Sequence, residues 1–203
     1  MVSVPSNRGY EITAASLSKR YDGYEIEETH GWFLDMLPPA PLSVLDIGAG
    51  SGRDGLHYAA KGYQVTAVEP TDAFRKIAMA KDGADAIEWL EDTLPELALL
   101  EERAFDVVTL IAVWMHLDVD EREEGMVRLN ELLNPGGLLV MTVRHGEPPE
   151  GRLMFEIADE EVIEAARALG LSLVSHANVE SIQPLNKAKG ITWSRFAFRK
   201  GLS

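Results

Sequence analysis

The sequence predicts an α/β fold: one doubly wound, mostly parallel sheet of seven strands, with an antiparallel strand near the C-terminus. Three observations carry this expectation. Short apolar runs alternate with amphipathic stretches along most of the chain, the pattern of parallel strands joined by crossover helices. A glycine-rich turn, Gly48 to Gly52, joins the first apolar run to an amphipathic stretch. The last two apolar runs follow one another through a polar connection, which suits an antiparallel pair at the end of the sheet.

In chain order, residues 1–10 read as a loose arm. Residues 11–21 and 25–37 carry mixed helical patterns, and Pro38, Pro39 and Pro41 end the second. Strands are expected at Ser43–Ile47, Gln64–Val68, Ala86–Leu90, Phe105–Ala112 and Gly137–Arg144. Helices are expected between them, near 53–61, 72–80, 94–102 and 119–133. Asn134-Pro135-Gly136-Gly137 is a helix stop and turn. Gly146–Gly151 is a loop, and a further helix covers about 159–169 before Gly170. Strands Ser172–Val179 and Thr192–Arg199 follow, joined without a helix through the polar stretch Asn186–Gly190. Trp32, Phe33 and Leu37, at helical spacing, and Trp193 with Phe196 to Phe198 read as core. The whole chain, 1–203, reads as one domain in which residues 1–40 form a helical cap.

Composition narrows the function. Nineteen Lys and Arg face 33 Asp and Glu, a net charge of −14. That surplus repels phosphate backbones and anionic membrane surfaces, so the expected partner is a small molecule, not nucleic acid or membrane. There are no cysteines, which excludes disulfides, thiolate metal sites and a cysteine nucleophile, and suits a cytoplasmic location. Met1 to Tyr10 is polar with no signal-length apolar core, and no apolar run reaches the roughly 18 residues of a membrane span. His30, His57 and His176 show no ligand spacing, so no metal is expected. The oligomeric state is not legible.

The chemistry centres on Val44-Leu45-Asp46-Ile47-Gly48-Ala49-Gly50-Ser51-Gly52-Arg53-Asp54. Glycines let a backbone approach a ligand with no Cβ in the way, and such a turn sits at the ligand-binding edge of a parallel sheet. The spacing departs from the dinucleotide fingerprint G-x-G-x-x-G, and no Walker lysine follows. Asp46, two residues before the first glycine, would crowd a pyrophosphate but suits a ligand bearing an ammonium group. Glu69 ends the second strand, 17 residues after Gly52, where an acid accepts hydrogen bonds from ribose hydroxyls.

The run D-x-G-x-G-x-G closing the first strand resembles motif I of the class I S-adenosylmethionine-dependent methyltransferases, a family with a Rossmann-like fold. F-D-x-V at Phe105–Val108, followed by the apolar run to His116-Leu117, resembles motif IV. Leu132-Leu133-Asn134-Pro135-Gly136-Gly137 resembles the family's turn before the fifth strand. The resemblance covers residues 43–144. It implies S-adenosyl-L-methionine as cofactor, contacted by Asp46, Gly48, Ala49, Gly50, Gly52 and Arg53 in the first loop. It further implies contacts from Glu69 and Pro70, from Asp92, Thr93 and Leu94 around the adenine, and from Ala112 and Val113. Asp92 has a second reading, as N-cap of the helix after it. The resemblance also places Trp114 to His116 before the transferred methyl group.

On the acceptor side, His116 is a candidate general base or a histidine that orients its loop. Arg144 and His145, just past the fifth strand, can grip an anionic or polar substrate or stand in solvent. Tyr10, Tyr21 and Tyr24 form a lid over the cofactor, with Tyr21 in contact with it, or pack as ordinary helix aromatics. The expected reaction is in-line methyl transfer to an oxygen, nitrogen or carbon of a small molecule. A protein or RNA methyltransferase, a non-catalytic S-adenosyl-binding module and a dehydrogenase are the rivals; charge, the intact loop and the glycine spacing argue against them in turn.

Overall fold

The structure, a computed structural model, describes residues 9–202; most of the expected N-terminal arm lies outside them. The elements are α1 (Tyr10–Tyr21), α2 (Ile26–Leu34), β1 (Ser43–Ile47), α3 (Arg53–Ala60), β2 (Gln64–Val68), α4 (Asp72–Met79), β3 (Ile87–Leu90), β4 (Phe105–Ile111), α5 (Val119–Glu131), β5 (Leu133–His145), α6 (Asp159–Ala168), β6 (Ser172–Glu180), α7 (Pro184–Ala188) and β7 (Thr192–Arg199). The strands form one sheet in the order β3-β2-β1-β4-β5-β7-β6. Strands β1 to β5 pair in parallel. β7 inserts antiparallel between β5 and β6. This is the doubly wound, mostly parallel fold that the sequence predicts. No helix among the described residues is long and apolar enough to cross a membrane.

Alternation along each strand decides which helices cover which face. On β1, Leu45 and Ile47 join Val108, Leu110, Leu139 and Met141 in a core closed by Met126 and Leu129 of α5 and by Val162 and Ala166 of α6. Val44 faces the other way, with Val65, Val107 and Val140, under Phe33 of α2 and Tyr58 of α3. Asp46 shares Val44's side of the strand by the same alternation, so a carboxylate is carried into a packed face. α1 lies on α4, with Ala14, Leu17 and Phe74 buried between them. The strand order reverses between β1 and β4, and the crevice at their carboxyl ends is where ligands of this architecture bind.

The structure corrects three expectations. The helix near 94–102 is a single 3-10 turn at Ala98–Leu100. Leu97 takes a left-handed φ of 45°, which a right-handed helix does not contain. Leu94, Leu97 and Leu100 still reach the core, so helical spacing here reports burial alone. The connection between the last two strands carries the short helix α7, with Pro184 in its first turn, where proline is tolerated because that N–H is free anyway. β5 starts at Leu133: Phe105 pairs with Leu133 and Val107 with Leu138, so Asn134–Gly137 forms an irregularity inside the strand.

After β4 the chain makes a 3-10 turn, Trp114–His116, and then starts α5 with a complete capping box. Asp118 Oδ1 accepts from Glu121 N at 2.9 Å, and Glu121 Oε2 accepts from Asp118 N at 2.8 Å. This cap fixes where the His116 turn ends. Asp118→Ala is expected to cost about 1 kcal/mol, lowering the melting temperature by roughly 2–4 °C for a domain of this size, measurable by thermal denaturation.

Candidate active site

A cavity of about 920 Å³ opens at the carboxyl ends of β1, β2, β4 and β5. α1 and α2, the 147–154 segment and the region around α7 form its remaining walls. The glycine turn forms its floor. Gly48 N and Ala49 N both donate to Val68 O, at 2.8 and 3.0 Å, which folds the loop back over β2. A Cβ on Gly48 would run into the Val113 side chain. Gly50 N donates to Glu69 Oε2 at 2.8 Å. Gly52 faces away from the cavity: a Cβ there would lie 2.7 Å from Trp89 Cη2 and 2.9 Å from Ala78 Cβ. Its glycine serves helix–sheet packing, which corrects its assignment as a ligand contact.

Asp46 is buried at 2% exposure. Its Oδ1 accepts from Thr109 Oγ1 at 2.8 Å, while Oδ2 has no partner. Burial, then the neighbouring Asp54 carboxylate, pushes its pKa up to about 7. Asp54 has the opposite fate. Despite burial, His30 and Arg53 hold it well below the usual carboxylate range, with His30 Nε2 at 2.9 Å and Arg53 Nε at 2.7 Å. Arg53 Nη1 also donates to Tyr21 O at 3.0 Å, and Ser51 Oγ donates to Asp22 Oδ1 at 2.7 Å. The helical N-terminal segment is thus stitched to the loop by charged and polar contacts. Tyr21 stacks on Phe74 and lines the cavity.

Glu69 ends β2, buried, with Oε2 on Gly50 N and Oε1 accepting from Thr71 N at 2.8 Å; burial raises its pKa. Pro70, Thr93 and Leu94 line the same wall. Asp92 accepts from Thr93 N at 2.9 Å and Leu99 N at 2.7 Å, so it caps a turn where the sequence suggested a helix, and it borders the cavity as well. At the end of β4, Ala112 has a φ of 61°, uncommon for a residue with a Cβ, and its N–H donates to Thr142 Oγ1 at 2.9 Å. Ala112 and Val113 line the cavity.

The residues expected on the acceptor side divide. Trp114 is 1% exposed, part of the core beside Gly125 and Leu117, which corrects its assignment as a substrate contact, and Met115 lines the cavity. Arg144 and His145 are successive residues of β5, so their side chains leave opposite faces. Arg144 reaches the cavity. His145 turns to the other side, 2.6 Å from Ser194 Oγ, in a small pocket with Asp159 and His176, which corrects its assignment as a substrate contact. His116 lies on the cavity wall. Its Nδ1 donates to Leu153 O at 2.7 Å, so the neutral ring offers Nε2 as an acceptor, and Tyr10 Oη donates to it at 2.9 Å. Burial lowers the His116 pKa. Sequence reasoning missed His30, Asp54 and Arg152; the adjacency of Arg53 and Asp54 to the glycine turn was the available signal for the second.

Residues 44–137 match the family described as a methyltransferase domain. The match spans just under half of the chain, and the sheet around the glycine turn has the fold of solved methyltransferases. It is 27% identical over 121 residues to a ubiquinone biosynthesis O-methyltransferase of Rickettsia canadensis, covering 59% of this chain and 48% of that protein. The chain spans just under half the length of the curated relatives it matches first. Among solved structures it resembles the Burkholderia thailandensis 1,6-didemethyltoxoflavin-N1-methyltransferase with bound 1,6-didemethyltoxoflavin and S-adenosylhomocysteine. That likeness has 22% identity and a TM-score of 0.63, over 99% of this chain and 92% of that one. It also resembles the [4+2]-cyclase SpnF, at 14% identity and a TM-score of 0.71, over 96% and 94% of the two chains.

The raised pKa of Asp46 carries a sign. Its folded value lies above the ordinary 3.8 of an aspartate, so the stability it contributes is complete below that pH and lost as pH rises through about 7. The urea midpoint of the wild type should therefore fall across this window relative to Asp46→Asn, which cannot titrate. Parallel pH profiles for the two proteins would contradict the assignment.

Proposed function

We propose that this chain binds S-adenosylmethionine in the cavity and transfers its methyl group to an oxygen, nitrogen or carbon nucleophile of a small molecule. The observation that carries the reading is what the glycine turn offers. Gly50 N–H, a donor that a pyrophosphate would need, is taken by the Glu69 carboxylate. Beside it stands Asp46 with one oxygen unpaired. Two buried acids reject a diphosphate and favour a ligand presenting an ammonium group and hydroxyls.

The residues present fit that cofactor. Asp46 Oδ2 is a buried acceptor without a donor, and Gly50 leaves open the space its Cβ would occupy, nothing lying closer than Gly48 O at 3.9 Å. Asp46, Gly48, Ala49 and Gly50 would hold the amino-acid part, Glu69 the ribose, and Asp92, Thr93 and Leu94 the adenine, with Ala112 and Val113 beneath. When bound, the cofactor supplies a methyl group on a sulfonium, already an effective leaving group. The chain's task is then to align the acceptor and exclude water. Helices α1 and α2, within the N-terminal segment 1–40, serve as the cap, held by Arg53, Ser51 and the Tyr10–His116 hydrogen bond. His116, neutral and with Nε2 free of its own proton, takes the proton of an acceptor that displaces Tyr10 Oη. A net charge of −14 supports a small acceptor over nucleic acid, and the absence of cysteine supports a cytoplasmic setting.

Calorimetry with S-adenosylhomocysteine should show binding where NAD shows none, and a labelled methyl donor should mark a product from a metabolite library. Glu69→Ala should weaken S-adenosylhomocysteine binding at least about tenfold, since it removes charge-assisted bonds of roughly 1.5–3 kcal/mol each. It should also lower the melting temperature, because Gly50 N–H and Thr71 N–H lose their partner. NAD binding without S-adenosylhomocysteine binding would overturn the reading.

A further inference from the structure

Part of the cavity wall lies beyond residue 137, where the family match ends. Register places Arg144 opposite Trp193 and Thr142 opposite Arg195 on β5 and β7, and all four line the cavity. The loop after β5 adds Arg152, whose guanidinium lies 4.4 Å over the Tyr10 ring. Three arginines thus converge on one wall of a strongly acidic protein.

Their charge is not neutralised locally, a state shared by Arg20, Arg167 and Arg199 among the described residues. Arg53, Arg75, Arg103, Arg122 and Arg128 each hold a carboxylate. Among the described residues, Arg144, Arg152 and Arg195 make no such ion pair. Arg144 is buried and spends donors on Gly146 O and Glu147 O, at 3.0 and 2.9 Å, and on Met154 Sδ at 3.9 Å, which lock its fork in place and leave two of its five N–H groups. Arg152 lies close enough for its charge to lower the pKa of both Arg144 and His116. The nearest acids, Glu147, Glu150 and Glu156, are exposed. A buried cation beside a second cation, with no anion between them, is costly unless a ligand supplies the anion.

Resting on the methyltransferase reading, we propose that the methyl acceptor is an anionic small molecule. Its carboxylate or phosphate docks on Arg144 and Arg152, and its body lies along Trp193 toward His116. Planar guanidinium forks match such groups with two hydrogen bonds at once. The locked Arg144 loses little side-chain freedom on binding. The anion at this end of the cavity holds the acceptor apart from Asp46 and Glu69, which repel it, and so fixes which end of the molecule meets His116.

The test uses the full chain saturated with S-adenosylhomocysteine, titrated with benzoate against benzamide, phenyl phosphate against phenol, and inorganic phosphate alone. One or both acids should bind at least about tenfold tighter than their neutral partners, with the preference falling as salt rises; which acid wins separates carboxylate from phosphate. Arg152→Gln, on a loop, and Arg144→Lys, which keeps the charge but not the fork, should each remove most of that preference while leaving S-adenosylhomocysteine affinity unchanged. An acceptor found with labelled methyl donor should be anionic, and Arg152→Gln should raise its KM about tenfold or more. Equal binding of acids and neutral partners, a neutral or cationic acceptor, or variants that still prefer acids would overturn the inference. Loss of S-adenosylhomocysteine affinity in the variants would also overturn it, by giving the arginines to the cofactor. A wild type that binds no S-adenosylhomocysteine overturns the underlying reading, and the inference falls with it.

Discussion

A buried carboxylate with one oxygen unpaired, Asp46 at the end of the central strand, is the constraint around which the site is arranged. Strand alternation carries it to the face covered by α2 and α3, where Asp54 is half-buried. Two carboxylates this close do not both ionise readily. The surroundings split them: His30 and Arg53 go to Asp54, which keeps its charge, and Asp46 is left with Thr109 alone. Arg53 then does double service, since the same guanidinium reaches Tyr21 O and ties the N-terminal helices to the glycine turn. Closure of the cavity and the protonation of its floor are therefore one electrostatic arrangement.

The cavity is polarised as a consequence. Its β1–β2 end is acidic, through Asp46 and Glu69, and its β5–β7 end is basic, through Arg144, Arg152 and Arg195. The fold does not dictate that division, since a similar fold serves a cyclase, and function rests on the site. The acidic end lies in the segment shared with the family and the basic end lies outside it. The first speaks to the donor and the second to the acceptor, in the reading proposed here.

Much of the fold was legible because its signals are local. The strand ends at Asp46 and Glu69, the glycine turn and the order of strands and helices follow from short-range pattern, and the sheet agrees. Where a local signal had two causes, it misled. The leucines at 94, 97 and 100 are spaced for a helix but serve a turn after Pro95. Arg144 and His145 looked equivalent at a strand end, yet the two-residue period of a strand allows only one of them to face the cavity. Trp114 sits in a motif that points at the ligand, but its bulk is consumed by the core. His30 and Arg152 were illegible for another reason: their partners are 24 residues away for His30 and, for Arg152, across the cavity mouth at Tyr10. Only tertiary structure brings such groups together.

The most direct measurement is the proton count on S-adenosylmethionine binding near pH 7, from calorimetry in buffers of different ionisation enthalpy. In the free protein Asp46 is partly protonated, with a pKa of about 7, and a cationic ammonium group placed against Oδ2 must depress that value. The account predicts that binding releases a proton fraction into solution in the wild type and none from this site in Asp46→Asn. Equal proton release in the two proteins, at comparable affinity, would contradict it.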